Sequence, residues 1–157
     1  MKRAATIFLQ IVIAVFGIAI LSWLLWVPHV DGANAHASFF AVYLDPFIAY
    51  IYMGAIPFFV AIYQGIKLLG NFGRDETFSD QSVRALRIIK FCALAIIVFT
   101  GVSFLFMING DQDDRPPGIF LRLLAIVPSL IVATAAFVIE KIVRQGTEIK
   151  SENDLTI

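Results

Sequence analysis

The chain has 157 residues, of which 59% are hydrophobic and 15% charged, and its mean hydropathy is +0.84. That balance excludes an ordinary soluble globular domain and reads as an integral membrane protein. Twelve basic and twelve acidic side chains cancel, so no global field draws the chain onto nucleic acid, and the single cysteine, Cys92, excludes an intramolecular disulfide or a thiolate metal cluster.

Charge-free stretches run over residues 4–28, 46–66, 91–110 and 123–139. Each approaches the roughly 20 residues with which a helix crosses about 30 Å of hydrocarbon. The predicted fold is all-α, one integral membrane four-helix bundle, with spans over about 5–27, 46–69, 88–109 and 119–140. A loop over 70–87 and a tail over 141–157 complete it. Lys2, Arg3, the first apolar run and "ANAHA" at 33–37 also resemble a cleavable signal peptide. The run far exceeds the roughly 7–15 residues of a signal core, so a retained span is preferred.

Basic residues set the expected orientation. Lys2 and Arg3, then Lys67, Arg74, Arg84, Arg87 and Lys90, then Lys141, Arg144 and Lys150 fall on one side, against Arg115 and Arg122 on the other. The positive-inside rule places both termini in the cytoplasm. Trp23, Trp26, Tyr43, Tyr50 and Tyr52 cluster at the opposite, outer boundary.

Along the spans, ionisable groups are absent at depth, which disfavours a proton relay or ion-coupled pump. The polar groups there are mild: Gln10, Ser22, Gln64, Thr100, Ser103, Ser129 and Thr134. Small residues recur at helical spacing (Gly54, Ala61 and Gly65; Ala125, Ser129 and Ala133) and read as close-packing ridges, within the bundle or in a homo-oligomer. Pro57 and Pro128 fall mid-span, where kinks are expected.

The first outer connection holds His29 and His36 with Asp31 and Asp45, in a spacing that fits no known metal arrangement and reads as loop polarity. The second, "NGDQDDRPPG" over 109–118, crowds Asp111, Asp113 and Asp114 without an EF-hand register. Its expected role is structural: Asp113 or Asp114 pairs with Arg115 or Arg122, whose long stem can otherwise snorkel to the interface. No cofactor site is expected.

Between the second and third spans, Ser79 is placed to cap a helix with Asp80 in its first turn. Val83, Leu86 and Ile89 with Phe78 form an apolar stripe, and Asp80, Arg84 and Arg87 share another face. This segment reads as an anchor on anionic headgroups or as a docking surface for a cytoplasmic partner or for the chain's own tail. In the tail, Glu140, Arg144 and Glu148 alternate in sign at i, i+4 and predict an exposed helical extension, which Gly146 weakens and which ends near Lys150. Ser151, Glu152, Asn153 and Asp154 follow, then Leu155 and Ile157 as apolar points on an extended end. That end is expected to add to a sheet edge or fill a small groove, or to fold back so that Glu152 and Asp154 meet Arg84, Arg87 or Lys90.

Four stretches, "IPFFVAIYQGIKLL" (56–69), "FSDQSVRALRIIKFCAL" (78–94), "DQDDRPPG" (111–118) and "IKSENDLTI" (149–157), together resemble the bacterial membrane-protein family known as domain of unknown function 2975. Arg115 and the doubled proline depart from the family's usual Ala-Pro-Gly turn after the paired aspartates. The resemblance implies a four-span, multi-pass protein of the bacterial cytoplasmic (inner) membrane without an assigned activity. It also implies a genomic neighbourhood with small helix-turn-helix regulators. The leading expectation is a non-enzymatic regulatory or sensory partner of such a regulator, bound through Phe78, Ser79, Asp80, Arg84, Arg87 and the tail from Lys150. The alternative is a small oligomeric exporter or immunity factor. An enzyme is disfavoured, since no nucleophile with its base, metal set or phosphate loop can be assembled.

Overall fold

The computed structural model describes residues 2–30, 46–74, 76–108 and 115–154. They form four helices: α1 (Lys2–Val30), α2 (Pro46–Gly73), α3 (Asp80–Ile108) and α4 (Arg115–Asp154). Each contains a segment long and apolar enough to cross a bilayer. The two outer aspartate and histidine readings, on Asp111, Asp113, Asp114, Asp31, His36 and Asp45, lie outside the described residues.

Among the described residues the extensive helix contacts follow chain order, α1 on α2, α2 on α3 and α3 on α4. Neighbours are antiparallel: Gln10 meets Ile66 while Leu24 meets Tyr52, Asn71 meets Ser82 while Tyr50 meets Phe99, and Arg87 meets Glu140 while Ser103 meets Arg122. The starts of α1 and α3 and the ends of α2 and α4 therefore meet at one end, here termed the charged end. Thr6 lies against Gly73 and Phe78 against Gly146 there.

Exposure is far higher than in water-soluble folds. The accessible surface is 11093 Å², against about 7,900 Å² for a compact soluble monomer of this mass. Large apolar side chains such as Phe8, Trp26, Phe120 and Ile131 point outward, the surface a hydrocarbon solvent demands. The buried apolar cluster is small and one-sided: Val83 and Leu86 of α3, Val143 of α4 and, at its margin, Leu68 of α2. Apolar burial gains free energy only where the alternative is water, so a core of the soluble kind forms at the charged end.

Within the apolar lengths, small residues and backbone acceptors do the packing. Ala93, Ala133 and Ala136 are buried where α3 meets α4. A Cβ on Gly17 would stand 3.1 Å from Ile62. Gly54 faces the Phe99 side chain, whereas a Cβ on Gly65 would meet nothing within 4 Å among the described residues. Gln10 Nε2 donates to the Ile66 carbonyl at 2.8 Å and Tyr52 to the Leu24 carbonyl at 3.0 Å, tying α1 to α2 at both ends. Tyr50 donates to the Phe99 carbonyl. Both helices continue through Pro57 and Pro128. Next to Pro128, Ser129 Oγ donates to the Ala125 carbonyl at 2.7 Å.

α4 has 40 residues, about 60 Å at 1.5 Å per residue, or twice the hydrocarbon thickness. It runs helically to Asp154, past the end expected near Lys150. Ser151, Glu152 and Asn153 lie in its last turn, and the extended end expected at Leu155 and Ile157 lies outside the described residues. Gly146 is inside this helix because of what it meets: a Cβ there would stand 2.2 Å from the Phe78 ring.

Candidate functional site

The charged end is organised by a turn, an ion cluster and a groove. The turn begins at Asn71, whose carbonyl accepts from Arg74 N at 3.2 Å and Glu76 N at 2.9 Å. Ser79 Oγ caps α3 by accepting from Ser82 N at 3.3 Å, satisfying one of the free donors of a first helical turn. Ser82 has no exposed surface. Its hydroxyl donates to the Glu76 carbonyl and accepts from Asn71 Nδ2, both at 3.3 Å, which makes Ser79 the donor in the 3.1 Å hydroxyl pair. Every buried polar atom named here has a partner, so the start of α3 is fixed relative to the end of α2.

From that start, helical spacing puts Arg87 and Lys90 one turn apart on the face toward α4. There Glu140, at 5% exposure, is buried. Its Oε2 accepts from Lys90 Nζ at 2.6 Å, and its Oε1 from Arg87 Nε and Arg144 Nη2, each at 3.1 Å. Lys90 Nζ also stands 5.4 Å from the Phe91 ring centroid and 5.5 Å from that of Phe137, so the ammonium is held between a carboxylate and two aromatic faces. This corrects the expectation of an exposed Glu140–Arg144–Glu148 ladder: Glu140 is the centre of the end. It also places Arg87 and Lys90 on Glu140 where the sequence reading offered them to the tail carboxylates.

Three cations on one carboxylate leave positive charge to spare, and that surplus borders a groove of about 500 Å³ lined by Asp80, Val83, Arg84, Arg87, Arg144, Thr147 and Glu148. Arg87 and Arg144 remain about half exposed despite their bonds to Glu140. Arg84, Asp80 and Glu148 make no ion pair among the described residues. Thr147 Oγ1 is committed to the Val143 carbonyl at 2.8 Å. Of the residues singled out in the sequence, Asp80, Arg84 and Arg87 thus meet Arg144 and Glu148 at one groove. Phe78 lies beside Gly146, and Ser79 is used in capping. Lys150, Ser151, Glu152 and Asn153 are exposed on the last turns of α4. The Asp154 side chain, Leu155 and Ile157 lie outside the described residues.

At the opposite end Arg122 is held differently. It donates to Ser103 Oγ at 2.8 Å, the Ser103 carbonyl at 3.2 Å and the Gly118 carbonyl at 3.0 Å, and its guanidinium stands 5.5 Å from the Phe104 centroid. Ser103 Oγ in turn donates to the Thr100 carbonyl at 2.6 Å. Arg122 thus joins α4 to α3. The expected pairing with Asp113 or Asp114, and the side chain of Arg115, fall outside what is described. Among the described residues no group of three His, Cys, Asp or Glu side chains is placed to hold a metal.

The missed signal was relational. Arg87 and Lys90 open one apolar span on a shared face, and Glu140 closes another. An isolated carboxylate at such a boundary is costly to bury without partners on the neighbouring helix.

Comparison with known proteins gives the same architecture a family. The family model described as "Protein of unknown function (DUF2975)" matches residues 30–157. The chain belongs to this family. Over 160 residues, covering all of both chains, it is 40% identical to the "Uncharacterized membrane protein YoaS" of Bacillus subtilis (strain 168). No solved structure matches. This family member is therefore a multi-pass membrane protein with four candidate transmembrane helices in an all-helical bundle.

Proposed function

We propose that the protein is a non-enzymatic regulatory component of a bacterial cytoplasmic membrane, with the charged end in the cytoplasm, and that the groove beside Glu140 receives a cytoplasmic regulatory protein. Ten of twelve basic residues fall at that end, which supports the orientation. The observation that carries the docking reading is the groove itself. It combines fixed, half-exposed arginines with Asp80, Arg84 and Glu148, charges that make no ion pair among the described residues.

Such a surface selects by charge pattern. Its cations attract an acidic segment, while Asp80 and Glu148 reject a uniformly acidic one and fix register. The resemblance to a family whose members neighbour helix-turn-helix regulators makes a small DNA-binding regulator the partner of choice. Contact would be through the membrane protein's own surface, with no direct nucleic-acid contact.

The test is affinity purification of the intact protein, gently extracted from native membranes, beside Arg84→Glu and Glu148→Lys variants, with mass spectrometry of what is retained. The reading requires a DNA-binding regulator recovered with the native chain and lost from both variants. Equal recovery from all three, or recovery of no regulator by the native chain, would refute it.

A further inference from the structure

A second cleft lies at the charged end, on the far side of the bundle from Glu140. It is bounded by the first turns of α1 and the last turn of α2, has a volume of about 210 Å³, and is lined by Arg3, Thr6, Ile7, Gln10, Arg74 and the two glycines Gly70 and Gly73. The glycines set its shape. A Cβ at Gly73 would stand 3.2 Å from Thr6, and one at Gly70 3.3 Å from Gln10 Nε2, so the two glycines let α1 approach α2 closely here.

Its charge is unbalanced. Both arginines are exposed, and among the described residues neither is ion-paired and no carboxylate lines the cleft. The Glu140 groove, by contrast, carries its own acidic side chains. The free N–H groups at the start of α1 add positive potential on the same side.

Position decides which anion. The apolar span of α1 begins at Arg3, so the cleft sits where hydrocarbon gives way to headgroups. Ile7, one turn deeper, is half exposed and lines the cleft wall, with Ile11 exposed below it. The geometry points to a binding site for an anionic phospholipid, its phosphate held between Arg3 and Arg74 and an acyl chain running down the α1 surface past Ile7. This site is independent of the docking groove.

The experiment uses the full-length protein reconstituted in nanodiscs of equimolar phosphatidylcholine and phosphatidylglycerol, re-extracted into detergent and weighed by native mass spectrometry. The native chain is expected to retain phosphatidylglycerol in preference to phosphatidylcholine. Replacing both cations (Arg3→Gln with Arg74→Gln) is expected to weaken retention roughly thirtyfold, each basic residue near the headgroups contributing a factor of about five. Arg84→Gln is expected to retain lipid as the native chain does. The substituted side chains are exposed, so an unchanged thermal midpoint reports that lost retention is lost binding. Equal retention by the native and doubly substituted chains would overturn the site. Displacement of the lipid by millimolar inorganic phosphate or glycerol phosphate would overturn the lipid assignment in favour of a soluble phosphate. Should the double variant unfold, the single variants, each expected to lose about fivefold, carry the same test.

Discussion

The two ends of the α3–α4 pair solve one problem in opposite ways. Each must hold a cationic side chain against the neighbouring helix. At the Ser103 end, Arg122 donates to a hydroxyl and two backbone carbonyls, neutral acceptors that the helices supply locally. At the charged end the acceptor is a buried carboxylate, and three cations converge on it from two helices. Arg122's partners are polar groups that would persist without it, whereas Glu140 without its cations, or Lys90 without Glu140, is a charge stranded at low dielectric. The first arrangement is a staple and the second is a keystone.

Breaking the keystone is expected to have the largest effect. Glu140→Gln should destabilise by about 2–3 kcal/mol, below the cost for a wholly buried pair because Arg87 and Arg144 can turn to water. In a scan of the detergent-solubilised protein this is a fall in midpoint of roughly 5–10 °C. Arg122→Leu removes three hydrogen bonds to neutral acceptors and should cost about 1–2 kcal/mol. If the two losses were equal, the distinction between the ends would fail.

Gly146 sharpens the contrast from another side. Gly→Ala normally strengthens a helix by about 0.8–1 kcal/mol, but here the added methyl meets the Phe78 ring. Gly146→Ala should therefore destabilise the native chain and stabilise a Phe78→Ala chain, a reversal of sign that chemical denaturation of both pairs would read. The smallest effect belongs to the groove. Arg84→Gln should change stability by less than about 0.5 kcal/mol, since Arg84 is exposed and makes no ion pair among the described residues. A large loss would mean that Arg84 serves the fold and is not held for a partner.

The four helices were legible because hydropathy over a span is a local property: each apolar stretch announces itself without reference to the others. The cap at Ser79 was legible for the same reason. Glu140 was not, since its burial depends on the register between Arg87 and Lys90 on one helix and a carboxylate about 50 residues later on another. Read within its own helix, it belongs to an i, i+4 ladder with Arg144 and Glu148, and the Arg144 half of that ladder is present. Gly146 misled in a similar way. Its low helix propensity is real, but Phe78, contributed by a different segment, requires it. The groove followed only once Arg144 and Glu148 were known to stand opposite Asp80 and Arg84.

The most direct test of the keystone is a double-mutant cycle between Glu140→Gln and Lys90→Met, with stability read by denaturant titration in one detergent or bicelle system. If Glu140 is the shared counterion that holds α4 to α3, the two changes together will cost less than their sum by about 1–3 kcal/mol, because each single change strands the other charge. Costs that add to within about 0.5 kcal/mol would mean that the two groups are independent, and the account of the charged end would be wrong.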